Sequence, residues 1–294
     1  QAHGRNAASL LAAYRATGDG GLLAEAIQKN SHDPQVALAA LLQKEASPEI
    51  RRQWLEAFKQ ADPGNALPYY LSALNHLQAG QLDQAVPELV AASSKPQFRN
   101  YSTQRAQSDE EVYLAAGYSE AEARAMAPLQ QAMYFEDRND EQVEATFASF
   151  SSQLTLDQQI KDLSVSLKDV AKSYTQAGDP ASAEAALQMG MSLGQRYSTL
   201  SGENGLSQLV GMAAEVLSLA GMAPNSPYGS GGQTVQERIN QLRQQRTAIR
   251  GLYQQAVPLL ESLSAQDWTS YNERVRFFGE PAALQWVVGN YGQR

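Results

Sequence analysis

The stretch LKDVAKSYTQAGDPASAEAALQMG, from Leu167 to Gly190, decides the fold. Leu167, Val170, Ala171 and Tyr174 recur at helical spacing before Gly178-Asp179, and Ala183, Leu187 and Gly190 do so after it. Gly178-Asp179 reads as the turn between two helices. Two antiparallel helices of this kind touch closely, and one such pair cannot bury its apolar faces alone. The spacing therefore predicts a stack of helix pairs.

Outward from this segment, the first hundred residues read as three more pairs. Leu10, Leu11 and Tyr14 precede the turn Thr17 to Gly21, and Leu22, Leu23, Ala26 and Ile27 follow it. Val36, Leu38, Leu41 and Leu42 are divided from Ile50, Trp54, Leu55 and Phe58 by Ala46-Ser47-Pro48. Tyr69, Tyr70, Ala73, Leu74 and Leu77 are divided from Leu82, Ala85, Val86, Leu89 and Ala92 by Ala79-Gly80-Gln81. Asp33-Pro34 and Asp62-Pro63 stand between the pairs, each expected to end one helix and pre-set the next.

These units resemble the tetratricopeptide repeat, a helix–turn–helix of about 34 residues. In the third unit Tyr69 stands at the repeat's Trp position, Ala73 at its first Gly and Gly80 at its turn. Ala85, Leu89 and Ala92 match the second helix, Pro96 falls one residue early, and Ser72 and His76 depart from the expected Leu and Tyr. Leu167 to Gly190 fills all eight inter-helix positions. The first unit matches through Leu10, Leu11, Tyr14 and Gly18, and the second lacks the turn glycine. The resemblance covers about 130 of the 294 residues. It implies an all-α fold: a right-handed helical-hairpin repeat array (a TPR-like solenoid), with irregular helices in the middle and a C-terminal helical cap. It also implies a concave groove lined by the first helix of each unit, which places Leu67, Tyr70, Leu74, Leu77 and Gln78 at groove-facing, partner-binding positions; ordinary inter-helix packing is the competing reading of the same residues.

The expected organisation is 1–100 for the N-terminal pairs, 101–222 for irregular helices with the pair at 157–196, and 233–294 for a long helix and cap. In the middle, Ser108-x-x-Glu111 and Ser119-x-x-Glu122 read as capping boxes and Gly117 as a helix stop. Pro128 should break or kink its helix at Ala127. A helix from Asp140 to Ser152 carries Val143, Phe147 and Phe150, and Thr155-x-x-Gln158 caps a separate helix leading to Tyr174. Leu206 to Ala220 is an apolar helix, and Ala223 to Gly232 reads as a linker or long loop. Thr234 to Ser264 is a long amphipathic helix with Val235, Ile239, Leu242, Ile249, Leu252, Tyr253 and Leu260 inward and Pro258 near its end. No convincing strand pattern is present.

Hydrophobic residues make up 43% and charged residues 18%, which suits a folded chain rather than a disordered one. A net charge of −8 argues against nucleic acid, whose phosphates need clustered Lys and Arg, and against an anionic membrane surface. With no cysteine there is no disulfide, thiolate ligand or thiol nucleophile. No run approaches the length of a membrane span. The start at Gln1 and the Gln-rich, Lys-poor composition fit a bacterial extracytoplasmic protein, periplasmic or tethered by an anchor ahead of Gln1; that anchor would be its only membrane contact.

Chemistry-bearing constellations are sparse. His3, His32 and His76 share no helical spacing, so no metal site and no cofactor are expected. Asp137, Asn139 and Glu141 lack the glycine and the bidentate Glu of a calcium loop, and Asp140 with Glu141 reads as a helix start. Glu110 with Glu111, and Glu120 with Glu122, read as first-turn carboxylates. Arg243, Arg246 and Arg250 line one face of the long helix. They can meet an acidic partner or stay solvated beside local Glu and Gln. The expectation is a non-enzymatic scaffold holding a peptide or protein segment in its groove. The alternatives are an enzyme acting on envelope polymers and a structural oligomer joined through Thr234 to Ser264.

Overall fold

A computed structural model describes residues 4–43, 47–120, 123, 140–200, 205–260 and 262–292, with the helical path alone at 140–154, 200 and 265. The helices are α1 (Ala7–Thr17), α2 (Gly20–Lys29), α3 (Pro34–Leu41), α4 (Pro48–Ala61), α5 (Leu67–Gln78), α6 (Leu82–Ser94) and α7 (Ser102–Ala115). They continue as α8 (Asp140–Gln176), α9 (Pro180–Leu200), α10 (Gly205–Leu219), α11 (Val235–Leu260), α12 (Ala265–Phe278) and α13 (Glu280–Tyr291). The chain is predominantly helical, as its sequence leads one to expect.

The stretch Leu167–Gly190 is a helical hairpin. Gly178 adopts φ +78°, and the amide of Asp179 returns to the carbonyl of Tyr174 at 2.9 Å, closing the end of α8. Asp179 Oδ1 then accepts from the Ser182 amide at 3.0 Å at the start of α9. Hydrogen bonds from Ser182 hold this carboxyl below the ordinary aspartate range. Ala171, Ala183, Ala186 and Leu187 bury the seam, with Val170 and Tyr174 against it.

The six N-terminal helices form where the periodicity places them. Asp33 caps α3 by accepting from Gln35 and Val36, and Pro34 occupies the first helical position. Asp62 ends α4, but the next helix is set by Asn65, whose Oδ1 accepts from Leu67 and Arg99. Three expectations are corrected. Ser108 is not a cap: it lies inside α7 and donates its hydroxyl back to the Gln104 carbonyl, so Glu110 and Glu111 fall in the helix's later turns. Thr155 starts nothing, because α8 runs unbroken through it. No strand is expected, yet β1 (Pro227–Tyr228) and β2 (Gln233–Thr234) pair antiparallel across the turn-rich loop at 223–232, Pro227 opposite Thr234. Pro128, Glu122, Asp137, Asn139 and His3 lie outside the described residues, as do the side chains of Val143, Phe147 and Phe150.

The chain groups into two compact units. Unit 1 comprises 1–63, 100–156 and 255–294, and unit 2 comprises 64–99 and 157–254. Both draw on the stretches 1–100, 101–222 and 233–294. In unit 1, Leu10, Leu11, Leu23, Ala26 and Val36 form one buried cluster. Ser264 and Asp267 cap α12 reciprocally, and Trp268 meets Tyr271 edge-on at 5.4 Å.

Unit 2 joins distant stretches of chain. Tyr70, Phe98 and Tyr197 stack in sequence with ring centroids 6.0 and 5.8 Å apart. The Arg196 guanidinium donates to the carbonyls of Ala92 and Ser93 at 3.1 and 3.0 Å, capping the end of α6. Met212, Leu219, Val235, Ile239 and Leu242 seal α10 against α11.

Candidate functional site

Within unit 1, α1 and α7 are locked together near Arg15 and Asp109. The guanidinium Nε and Nη2 donate to Asp109 Oδ1 at 2.8 and 2.6 Å, and both side chains are nearly enclosed. Burial raises the Asp109 carboxyl above its ordinary range, against the pull of Arg15 and Arg105. The start of α7 is fixed by Tyr101, which holds φ +59° and donates its hydroxyl to Asp62 while its ring lies 6.1 Å from Phe58.

With that separation fixed, small side chains leave space beside the lock. Ala8, Ser9 and Ala13 on α1, with Ala115 and Ala116 at the end of α7, border a cleft of about 560 Å³. That volume lies within the usual range for ligand clefts. Leu10, Leu22 and Val112 supply apolar lining, and Arg5, Asn6 and Glu111 add polar groups.

The polar groups have defined capacities. Ser9 Oγ donates to the Gly4 carbonyl at 2.8 Å, and Ser108 Oγ to that of Gln104 at 2.9 Å. Both hydroxyl protons are used, so these groups meet a ligand as acceptors. Asn6 Oδ1 accepts from the Ser9 amide at 2.9 Å as the cap of α1. Arg5 is held by Glu25, its Nε 2.6 Å from Oε1. Hydrogen bonds from Arg5 and Lys29 pull the Glu25 carboxyl down to about 2. Glu111 stands exposed at the rim. Such a lining suits binding: an apolar floor, acceptors, one guanidinium and one carboxylate.

The five residues read from the sequence as groove-lining lie in unit 2. Leu67, Tyr70 and Leu74 are buried at 0%, 1% and 4% exposure, Leu77 is half-buried and Gln78 exposed. Five groove-facing side chains thus do not share one accessible surface. Tyr70 is turned inward by Phe98, and burial raises its phenol above the ordinary range. The α1–α7 cleft was not anticipated, although the alanines of α1 are a readable sign of a helix face that leaves room.

Other polar clusters of unit 2 are enclosed. Asp157 Oδ1 accepts from Tyr197 at 2.5 Å and Ser207 at 2.8 Å, all three side chains being buried. Glu215, at 0% exposure, accepts from Tyr228 at 2.7 Å and is bridged by Arg238 Nε and Nη2 at 2.9 and 3.1 Å. Gln195 donates to the Tyr228 hydroxyl at 2.6 Å, and Arg238 lies over the Tyr228 ring at 5.3 Å. This network ties the β1–β2 ribbon to α9, α10 and α11. His76 Nδ1 bonds Gln81 Oε1 at 3.0 Å across a turn, and His32 stands in a turn. Among the described residues, no three His, Asp or Glu side chains cluster as metal ligands, and no helix is long and apolar enough to cross a membrane. Compared with known proteins, the chain matches no family model, no curated protein and no solved structure.

Proposed function

We propose that this protein is a non-enzymatic interaction scaffold of TPR-like helical hairpins that holds a peptide or protein segment in the α1–α7 cleft. The observation carrying this reading is the cleft itself: about 560 Å³, apolar at its floor, with hydrogen-bond acceptors and opposite charges along its edge. A peptide brings main-chain N–H groups to the acceptors of Ser9 and Ser108, and apolar side chains to Leu10, Leu22 and Val112. Consecutive hairpins joined by short turns support the repeat-array reading of the frame.

The test is selection of displayed random peptides on the full chain, followed by titration of a selected peptide against Ala13→Trp and Ala115→Trp. Both substitutions fill the cleft. Expected is an affinity loss of at least about tenfold in each, with helical circular dichroism unchanged. A peptide that binds both variants as tightly as the parent protein overturns the assignment.

A further inference from the structure

We infer that the face of α11 carrying Arg243, Arg246 and Arg250 is a docking surface for an acidic helical segment of another protein. The inner stripe of α11 advances by alternating steps of three and four residues through Ile239, Leu242, Arg246 and Ile249. Arg246 thus occupies a position the stripe otherwise gives to an apolar side chain. It is half-buried, and its Nε is shut off from solvent with no hydrogen-bond partner. Leaving a buried guanidinium N–H unbonded is unfavourable, and an acceptor brought by a docking partner would relieve it.

Arg243 and Arg250 flank it, exposed, about 10 Å apart along the helix axis. Among the described residues none of the three arginines forms an ion pair. Burial and the two neighbouring guanidiniums together lower the Arg246 pKa. Three unneutralised cations on one face of a chain with net charge −8 form a local patch of inverted sign.

Gln208 favours a protein segment over a free anion. Gly205 of α10 abuts Tyr253 of α11, and Met212 packs with Leu242, so the helices run antiparallel with Gln208 near the level of Arg246. Gln208 Oε1 is also buried without a hydrogen-bond partner. A buried acceptor on α10 and a buried donor on α11 are thus each without a partner. A peptide supplies both kinds of group, whereas phosphate near neutral pH is chiefly an acceptor. Carboxylates at i, i+4 and i+7 of a helix match the rise of the arginines.

A labelled helical peptide of about 20 residues with Glu at that spacing is titrated into the full chain, beside a same-composition peptide with the Glu positions scrambled. The patterned peptide is expected to bind at least about tenfold more tightly than the scrambled one, and Arg243→Gln with Arg250→Gln to remove that preference. Arg246→Leu is expected to weaken binding by a similar factor while raising Tm by a few degrees, because a site kept for binding is suboptimal for stability. Equal binding of the two peptides, no binding of either, or a lower Tm in Arg246→Leu overturns the proposal. So does displacement of the patterned peptide by inorganic phosphate or phosphatidylserine vesicles at matched charge.

Discussion

Gly194 of α9 and Gly211 of α10 lie backbone against backbone where the two helices cross. A Cβ on Gly194 would stand 2.7 Å from the Gly211 carbonyl oxygen, and a Cβ on Gly211 would stand 2.8 Å from that of Gly194. The nearest atoms to either are main-chain nitrogens at 2.4 Å, which cannot rotate away. Alanine at an ordinary helical glycine stabilises by roughly 0.5–1 kcal/mol. At this crossing the sign reverses: Gly194→Ala or Gly211→Ala should lose about 2–3 kcal/mol by overpacking. Gly251→Ala, mid-helix in α11 with open space around it, should gain stability instead. Urea unfolding of the three variants checks both signs.

Tyr70 and Leu77 separate packing from surface on one helix. Tyr70→Ala empties a site at 1% exposure and should lose about 3–5 kcal/mol. Leu77→Ala, half-buried, should lose about 1 kcal/mol. Denaturant midpoints at constant m-value measure the difference.

The buried Glu215 carboxylate depends on Arg238. Arg238→Met leaves that carboxylate without its cation and should lose about 3 kcal/mol. Tyr228→Phe removes one hydrogen bond and should lose about 1 kcal/mol. Chemical denaturation with amide exchange at Gln233 and Thr234 shows whether the ribbon is released in each.

Glu25 gives the cleft edge a dependence on acid. Its folded pKa is lowered from 4.5 to about 2, so the stabilisation from its pairing with Arg5 and Lys29 is present above 4.5 and lost as pH falls toward 2. Carboxyl-resolved NMR should place the Glu25 midpoint near 2, and Arg5→Gln should move it back toward the ordinary range. High salt should weaken the shift, because the pair is at the surface.

Helix pairs were legible wherever the information is local. Gly178-Asp179 writes its own turn, and Asp33-Pro34 sets the start of the next helix. Ser108 misled because the capping pattern does not state whether a serine stands before a helix or inside it, where it can bond back to the carbonyl four residues earlier. Thr155 misled in the same way. The candidate cleft was not legible, because it depends on Asp109 meeting Arg15 across 94 residues of chain. The arginine stripe was readable as a pattern, but not that Arg246 turns inward while its neighbours stay out. Gly194 and Gly211 carry a signal in their type, yet only the crossing of α9 over α10 shows what they are for.

The carbonyls of Ala92 and Ser93 wait for Arg196, just as Tyr70 and Phe98 wait for Tyr197. On a ribosome, α5 and α6 emerge about a hundred residues before the chain that completes them. During that interval the aromatic face of the early segment is bare. A polypeptide interrupted between 99 and 157 would keep it so, leaving exposed an aromatic face that the finished chain covers. The order of synthesis, rather than the native contacts alone, sets when that face is open to a wrong contact.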